Sequence, residues 1–264
     1  MITSAHNPKI KLVRALVGRA KDRRAENAFV AEGVRLVEEA LAAGWPFRFV
    51  LFSEALNDRG QALLASLQTA GVETEMVAAH LLDSLSDTDH PQGILAVLDL
   101  PRSDVPTSRC NFILIPDQIR DPGNLGTLLR TAAAAGVQAV FLPPETTDAF
   151  APKVVRSGMG AHFRLPILSL PWDEIRARTS GLGIFLADMD GIPCWESDLR
   201  LPLALIVGGE AEGASASARD LATATISIPM PGGSESLNAG VAGAVLMFEV
   251  VRQRWTREQD KQRR

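Results

Sequence analysis

The feature that most narrows the fold is a series of short apolar runs in the second half of the chain. NFILIP (111–116), AVFLP (139–143), LGIFLA (182–187), LALIV (203–207) and ISIPM (226–230) are separated by helical segments such as LGTLLRTAAAAG. Strands buried on both faces read as continuous apolar runs, and strands that alternate with helices are joined by crossovers that make them parallel. The pattern predicts a parallel α/β sheet over residues 111–257. A last helix is predicted from about Asn238 to Trp255, where Val241, Val245, Phe248 and Val251 recur three or four residues apart and the basic end suits the helix dipole.

The first hundred residues carry the same alternation on a smaller scale. GVRLVEEAL (33–41) has helical spacing, WPFRFVLFS (45–53) reads as a buried strand, and QALLASLQTAGVETEMV (61–77) predicts a helix, a cap at Gly71 and a short strand. GILAVLDL (93–100) supplies another strand. PRSDVPTSRC (101–110), with two prolines among small polar residues, breaks both patterns and predicts a linker. The expected organisation is a small α/β domain at 1–100, a linker at 101–110, a larger α/β domain at 111–257 and a basic, solvated tail at 258–264. With 46% hydrophobic and 22% charged residues, the chain can bury a core and is no disordered tail.

Charge is distributed unevenly around a net −4. Residues 1–35 hold eight Lys/Arg against three acids and residues 252–264 hold six against two, which leaves −13 in between. Basic ends on an acidic body fit a polyanion gripped from the termini. Cys110 and Cys194 are too few for a disulfide framework, and no Cys/His cluster has zinc spacing, so no metal is expected. Neither a signal peptide nor an apolar run of about 18–20 residues is present, and the expected location is the cytoplasm.

Several enzyme classes lack their signatures. In IVGGEAEGAS, Ala214 stands where a phosphate loop requires lysine. No strand leads into GxGxxG with an acidic partner about twenty residues on. His6, His80, His90 and His162 are scattered and make no nucleophile and base pair with a serine or cysteine elbow.

Three polar segments remain. ILIPDQIRDPGNLGTLLRTAAAAGV (113–137) passes from strand through a loop with Asp121, Gly123 and Asn124 into a helix carrying Arg130. Asn124 reads either as a helix cap or, on a loop beyond a parallel strand, as a ligand contact. Arg130, six residues on, shares a surface with Asn124 only if the loop bends toward the helix. LALIVGGEAEGAS (203–215) sets Glu210 among glycines that allow backbone to approach a ligand. ISIPMPGGSESLNAGVAGAVLMFEVV (226–251) places Ser236 and Asn238 at a helix start, as caps or as site residues.

Together, DPGNLGTLLRTAAAAG, IVGGEAEG and IPMPGGSESLNAGVAGA closely resemble the three motifs of the SpoU (TrmH-like) RNA 2′-O-ribose methyltransferases. SAHNPKIKLVRAL, FVAEGVRLVEEAL and HPQGILAVL resemble the N-terminal RNA-binding domain of some members. The resemblance implies a trefoil-knotted (SPOUT-type) second domain, an exception to the rule that chains avoid knots. It implies S-adenosyl-L-methionine bound largely by backbone at Gly208, Ile228 and Leu237, with Gly209 and Met230 nearby. It assigns Asn124, Arg130, Glu210, Ser236 and Asn238 to the active site, with Arg130 either activating the hydroxyl or clamping the target phosphate and stabilising developing alkoxide. A 2′-hydroxyl acceptor means RNA, and ribosomal RNA is preferred over transfer RNA because of the appended domain. The alternative is a non-catalytic RNA-binding protein of the same fold. Lys9, Lys11, Arg14, Arg19, Arg23 and Arg24 are the candidate phosphate contacts. A homodimer through the knotted domain, with Phe248 and Val251 near its face, is also implied, and no membrane partner is expected.

Overall fold

The computed structural model describes residues 1–86, 88, 90–101, 110–209, 213–233 and 235–262, the last six as backbone only. The chain divides into two compact units, Met1–Arg102 with Asp148–Arg164 and Ser103–Thr147 with Leu165–Arg264. The predicted linker lies almost wholly outside the described residues.

The first unit is a four-stranded sheet with helices on both faces. Its elements are α1 (Pro8–Gly18), α2 (Ala20–Glu26), β1 (Ala28–Glu32), α3 (Val34–Ala42), β2 (Phe47–Phe52), α4 (Asp58–Thr69), β3 (Thr74–Met76), α5 (Ala79–Asp83) and β4 (Ile94–Asp99). The order β1-β4-β2-β3 is antiparallel at its first two pairings and parallel at the last. Alternation along each strand sends its side chains to two separate clusters. Phe29, Ala31 and Val50 join Val37 of α3 and Leu67 of α4, whereas Val30 and Leu51 join Ile10, Val13 and Leu16 of α1. Asn7 starts α1 by accepting the Lys9 N–H at 2.9 Å.

Residues 148–164 belong by sequence to the stretch expected in the second domain, yet they pack with the first unit. The reason is apolar: Phe150, Val155 and Phe163 complete the Phe29 cluster, with ring centroids 5.0 Å apart for Phe29 and Phe150 and 5.4 Å for Trp45 and Phe163. Arg23 and Asp148 add an ion pair at 2.6 Å. Among these residues, His162 is buried with its Nε2 2.8 Å from the Ala149 carbonyl, and burial pushes the imidazole down to about 4.

The second unit contains β5 (Phe112–Asp117), α6 (Pro122–Ala134), β6 (Ala139–Leu142), β7 (Ile167–Ser169), α8 (Trp172–Arg178), β8 (Gly183–Pro193), β9 (Leu203–Gly208), α9 (Ala216–Leu221), β10 (Ala224–Ser227) and α10 (Ala239–Gln262), while α7 (Pro152–Gly158) lies in the first unit. Its six strands run in the order β10-β8-β9-β5-β6-β7 and every pairing is parallel. Phe141, Ile113, Ile206 and Leu186 fill one cluster of its core, and α10 packs on α6. Because the strands are parallel, the loops after β5, β8, β9 and β10 leave from one edge.

Two boundaries differ from expectation. β10 begins two residues early and stops at Ser227, because Pro229 and Pro231 have no N–H to give a ladder. α10 runs through the segment read as a tail, to Gln262. Among the described residues no helix is long and apolar enough to cross a membrane.

His162 makes the first unit acid-sensitive. Its folded value of about 4 lies below the ordinary 6.5, so between these the unfolded chain binds more protons and stability falls as pH drops. Chemical denaturation should lose about 3 kcal/mol from pH 7 to pH 4 through this group. A His162→Phe variant that kept the same slope would show that the loss lies elsewhere.

Candidate active site

The central strands β5 and β9 end side by side, with Asp117 opposite Gly208. The two glycines at the end of β9, Gly208 within it and Gly209 just beyond, are forced by close backbone approach. A Cβ on Gly208 would lie 2.8 Å from the Ala214 nitrogen, and one on Gly209 would lie 2.5 Å from the Gln118 carbonyl oxygen. The loop closes through a bridge between Gly209 and Gly213, and Asp117 ties down its far end by accepting the Ser215 N–H at 2.6 Å. Asp117 is fully buried, and burial raises its carboxyl above the usual range despite the Ser215 bond. Glu210 lies outside the described residues.

Asparagines join the other two loops. Asp121, not Asn124, caps α6, accepting the Asn124 N–H at 2.8 Å. Asn238 caps α10, its Oδ1 taking the Val241 N–H at 3.2 Å, which turns its Nδ2 toward Asn124. That Nδ2 donates to Asn124 Oδ1 at 2.9 Å. Asn238 is thus both the cap of α10 and a side-chain partner of Asn124.

Between these loops is a cavity of about 550 Å³. Gly208, Gly209, Ile228, Met230 and Leu237 all line it, together with Ser236 and Asn238. Arg130 does not; it is exposed on α6, six residues or about 9 Å and 240° of helix beyond Asn124. The structure therefore brings Asn124 to the cavity rim through Asn238 and leaves Arg130 off the lining.

The sequence reading missed an ion pair in the wall. Arg219 Nη1 donates to Asp188 Oδ2 at 2.7 Å, and both residues line the cavity. The Arg219 guanidinium holds the Asp188 carboxyl below the usual carboxylate range. Their separation of 31 residues, one on β8 and the other on α9, leaves no local signal.

In the first unit the predicted basic residues divide. Lys11, Arg14, Arg19 and Arg24 are exposed. Arg23 is corrected: it is 4% exposed, paired with Asp148 and donating to the Leu16 carbonyl at 2.6 Å, so it is no phosphate contact. Lys9 is held by Glu73 and Glu75 at 2.6 and 2.7 Å, which neutralises its charge.

Comparison with known proteins agrees with this architecture. The SpoU rRNA Methylase family matches residues 111–248, and the MRM3-like substrate binding domain matches residues 7–96. The chain is 35% identical over 254 residues, 94% of its length and 98% of the other, to the 23S rRNA (guanosine(2553)-2′-O)-methyltransferase RlmP of Bacillus subtilis. It superimposes on the SpoU methyltransferase AviRb from Streptomyces viridochromogenes in complex with AdoMet with a TM-score of 0.85 at 30% identity, covering 95% and 99% of the two chains. An AdoMet-bound rRNA methyltransferase from Sinorhizobium meliloti gives 0.83 at 28%, covering 95% and 97%. The chain belongs to the SpoU rRNA methylase family.

The cavity fits S-adenosylmethionine: its volume lies within the roughly 300–1,000 Å³ of small-ligand sites, and glycine backbone forms part of the wall. Gly209→Ala should force the strand end off the Gln118 carbonyl and weaken S-adenosylhomocysteine binding about tenfold or more by calorimetry. Unchanged affinity in the folded variant would remove the close approach from the binding site.

Proposed function

We propose that the chain is an S-adenosylmethionine-dependent RNA 2′-O-ribose methyltransferase acting on ribosomal RNA. The observation that carries this reading is the meeting of the Asn124–Asn238 pair, Ser236 and the glycine-walled cavity at one sheet edge. The bound donor supplies an electrophilic methyl group. What remains for the chain is to orient a ribose hydroxyl toward it, a task worth as much as about 7–11 kcal/mol, against a factor of about 10² to 10⁴ for a positioned base.

The α10 cap locks Asn238, and Asn238 in turn holds the Asn124 amide at the rim. Ser236 and Asn238 would shape the loop near the donor's methionine end and the nucleotide, and Glu210 would orient the ribose. Arg130, which stays protonated at any physiological pH and stands off the cavity lining, acts on the acceptor's phosphate and developing alkoxide rather than as a base. In the first unit, Lys11, Arg14, Arg19 and Arg24 supply phosphate contacts, consistent with the substrate-binding family that this region matches.

Ribosomal RNA is favoured over transfer RNA because RlmP and the Sinorhizobium meliloti methyltransferase, which align along 94% and 95% of this chain, are named for ribosomal RNA. Labelled donor incubated with separated RNA fractions should mark ribosomal RNA and yield 2′-O-methylnucleosides on digestion. Label in a base, in transfer RNA alone, or in no RNA would overturn the assignment. Arg130→Ala should slow transfer at least about a hundredfold while leaving S-adenosylhomocysteine affinity unchanged.

The reading includes a homodimer through the second unit. Val241, Val245 and Phe248 are 46%, 39% and 49% exposed in a stripe along α10, so the apolar face read from the sequence is not core. Val251 is only half-buried. A Val245→Glu, Phe248→Glu variant should run as a monomer in light-scattering chromatography; a dimer of unchanged strength would place the contact elsewhere.

A further inference from the structure

The cavity wall contains a polar element that recognition by main chain does not use. Val207, Gly208, Ile226, Ile228, Leu237 and Leu246 give an apolar or backbone lining, into which Asp188 is set with its side chain 19% exposed. Arg219 pairs with Oδ2 at 2.7 Å, and the Asp190 N–H donates to Oδ1 at 3.2 Å. An ionised carboxylate accepts about four hydrogen bonds. A carboxylate already neutralised by a guanidinium is a poor partner for a further cation, which has to displace the arginine. Neutral hydroxyls need only a lone pair.

Position points the same way. The strand order β8-β9-β5 sets Asp188 about 10 Å across the sheet from the β5 side, where the Asn124–Asn238 pair marks the place of transfer. Asp188 therefore faces a part of the donor remote from the methyl group. Of the donor's parts, the ribose hydroxyls and the adenine amine are neutral donors, and of these a ribose hydroxyl is the recurrent partner of a carboxylate in nucleotide sites of other folds.

We infer that Asp188, steadied by Arg219, accepts a hydrogen bond from a ribose hydroxyl of the donor's adenosine and makes the cavity selective for a ribonucleoside over its deoxy form. The inference rests on the donor reading above. Arg219 is the positioning residue: it holds the carboxylate against the wall and cancels its charge.

Calorimetry tests this without turnover. The wild-type chain should bind S-adenosylhomocysteine about tenfold or more tightly than its 2′-deoxy or its 3′-deoxy analogue. Asp188→Ala should bind S-adenosylhomocysteine as weakly as the wild type binds that deoxy analogue, and should no longer distinguish the two. A wild-type chain indifferent to both deoxy analogues overturns the inference, whatever the variant does. So does an Asp188→Ala chain that still discriminates tenfold, or one whose loss vanishes with 5′-methylthioadenosine, which keeps the ribose and lacks the amino-acid end. Failure of the wild type to bind S-adenosylhomocysteine at all would instead bring down the donor reading itself, and this inference with it.

Discussion

The second unit is organised around the close packing of two chain segments at the ends of β5 and β9. Gly209 passes so near the Gln118 carbonyl that no side chain fits, and the buried Asp117 carboxylate pins the returning loop at Ser215. A buried carboxylate is costly unless hydrogen-bonded, so the Ser215 N–H and the loop that carries it are held where the sheet needs them. The cavity wall and the start of α9 inherit their position from that contact. Its dependence on glycine fits the proposed donor site, which lacks a conventional nucleotide fingerprint and offers main chain as its recognition surface.

The asparagine pair does the corresponding work for the other two loops. A helix cap is normally a local device, yet Asn238 spends its oxygen on the Val241 N–H and its nitrogen on Asn124, 114 residues earlier. One side chain thus couples the start of α10 to the start of α6. Since α10 packs on α6, any shift of one helix would disturb the amides at the rim. Rigid amides at the proposed transfer site suit a reaction whose barrier is lowered mainly by orientation.

Much of this was legible in the chain. The apolar runs gave the parallel sheet, the spacing gave α3, α4 and α6, and the glycine, serine and asparagine spelling of three segments pointed to the residues that meet at the cavity. β1 carries little sequence signal of its own, because AFVAE is short and ends in a glutamate just before Gly33. The end of β10 was misplaced because apolar Ile228 and Met230 continue the pattern while the prolines beside them end the hydrogen bonding. Asp188 and Arg219 carried no signal, since a charged residue past a strand and another on a short helix look like ordinary surface.

What the sequence determined by itself is local: where strands and helices form, which residues cap them, and where backbone must run free of side chains. These follow from periodicity, hydrogen-bonding groups and sterics within a few residues. The tertiary structure decided everything that depends on partners far along the chain. It moved residues 148–164 into the first unit because Phe150 and Phe163 complete the Phe29 cluster, and it took Arg23 out of the phosphate-binding set by burying it against Asp148. It also turned the apolar stripe of α10 outward. Side-chain pattern states what a residue prefers to touch, and only the folded chain settles what is there to be touched.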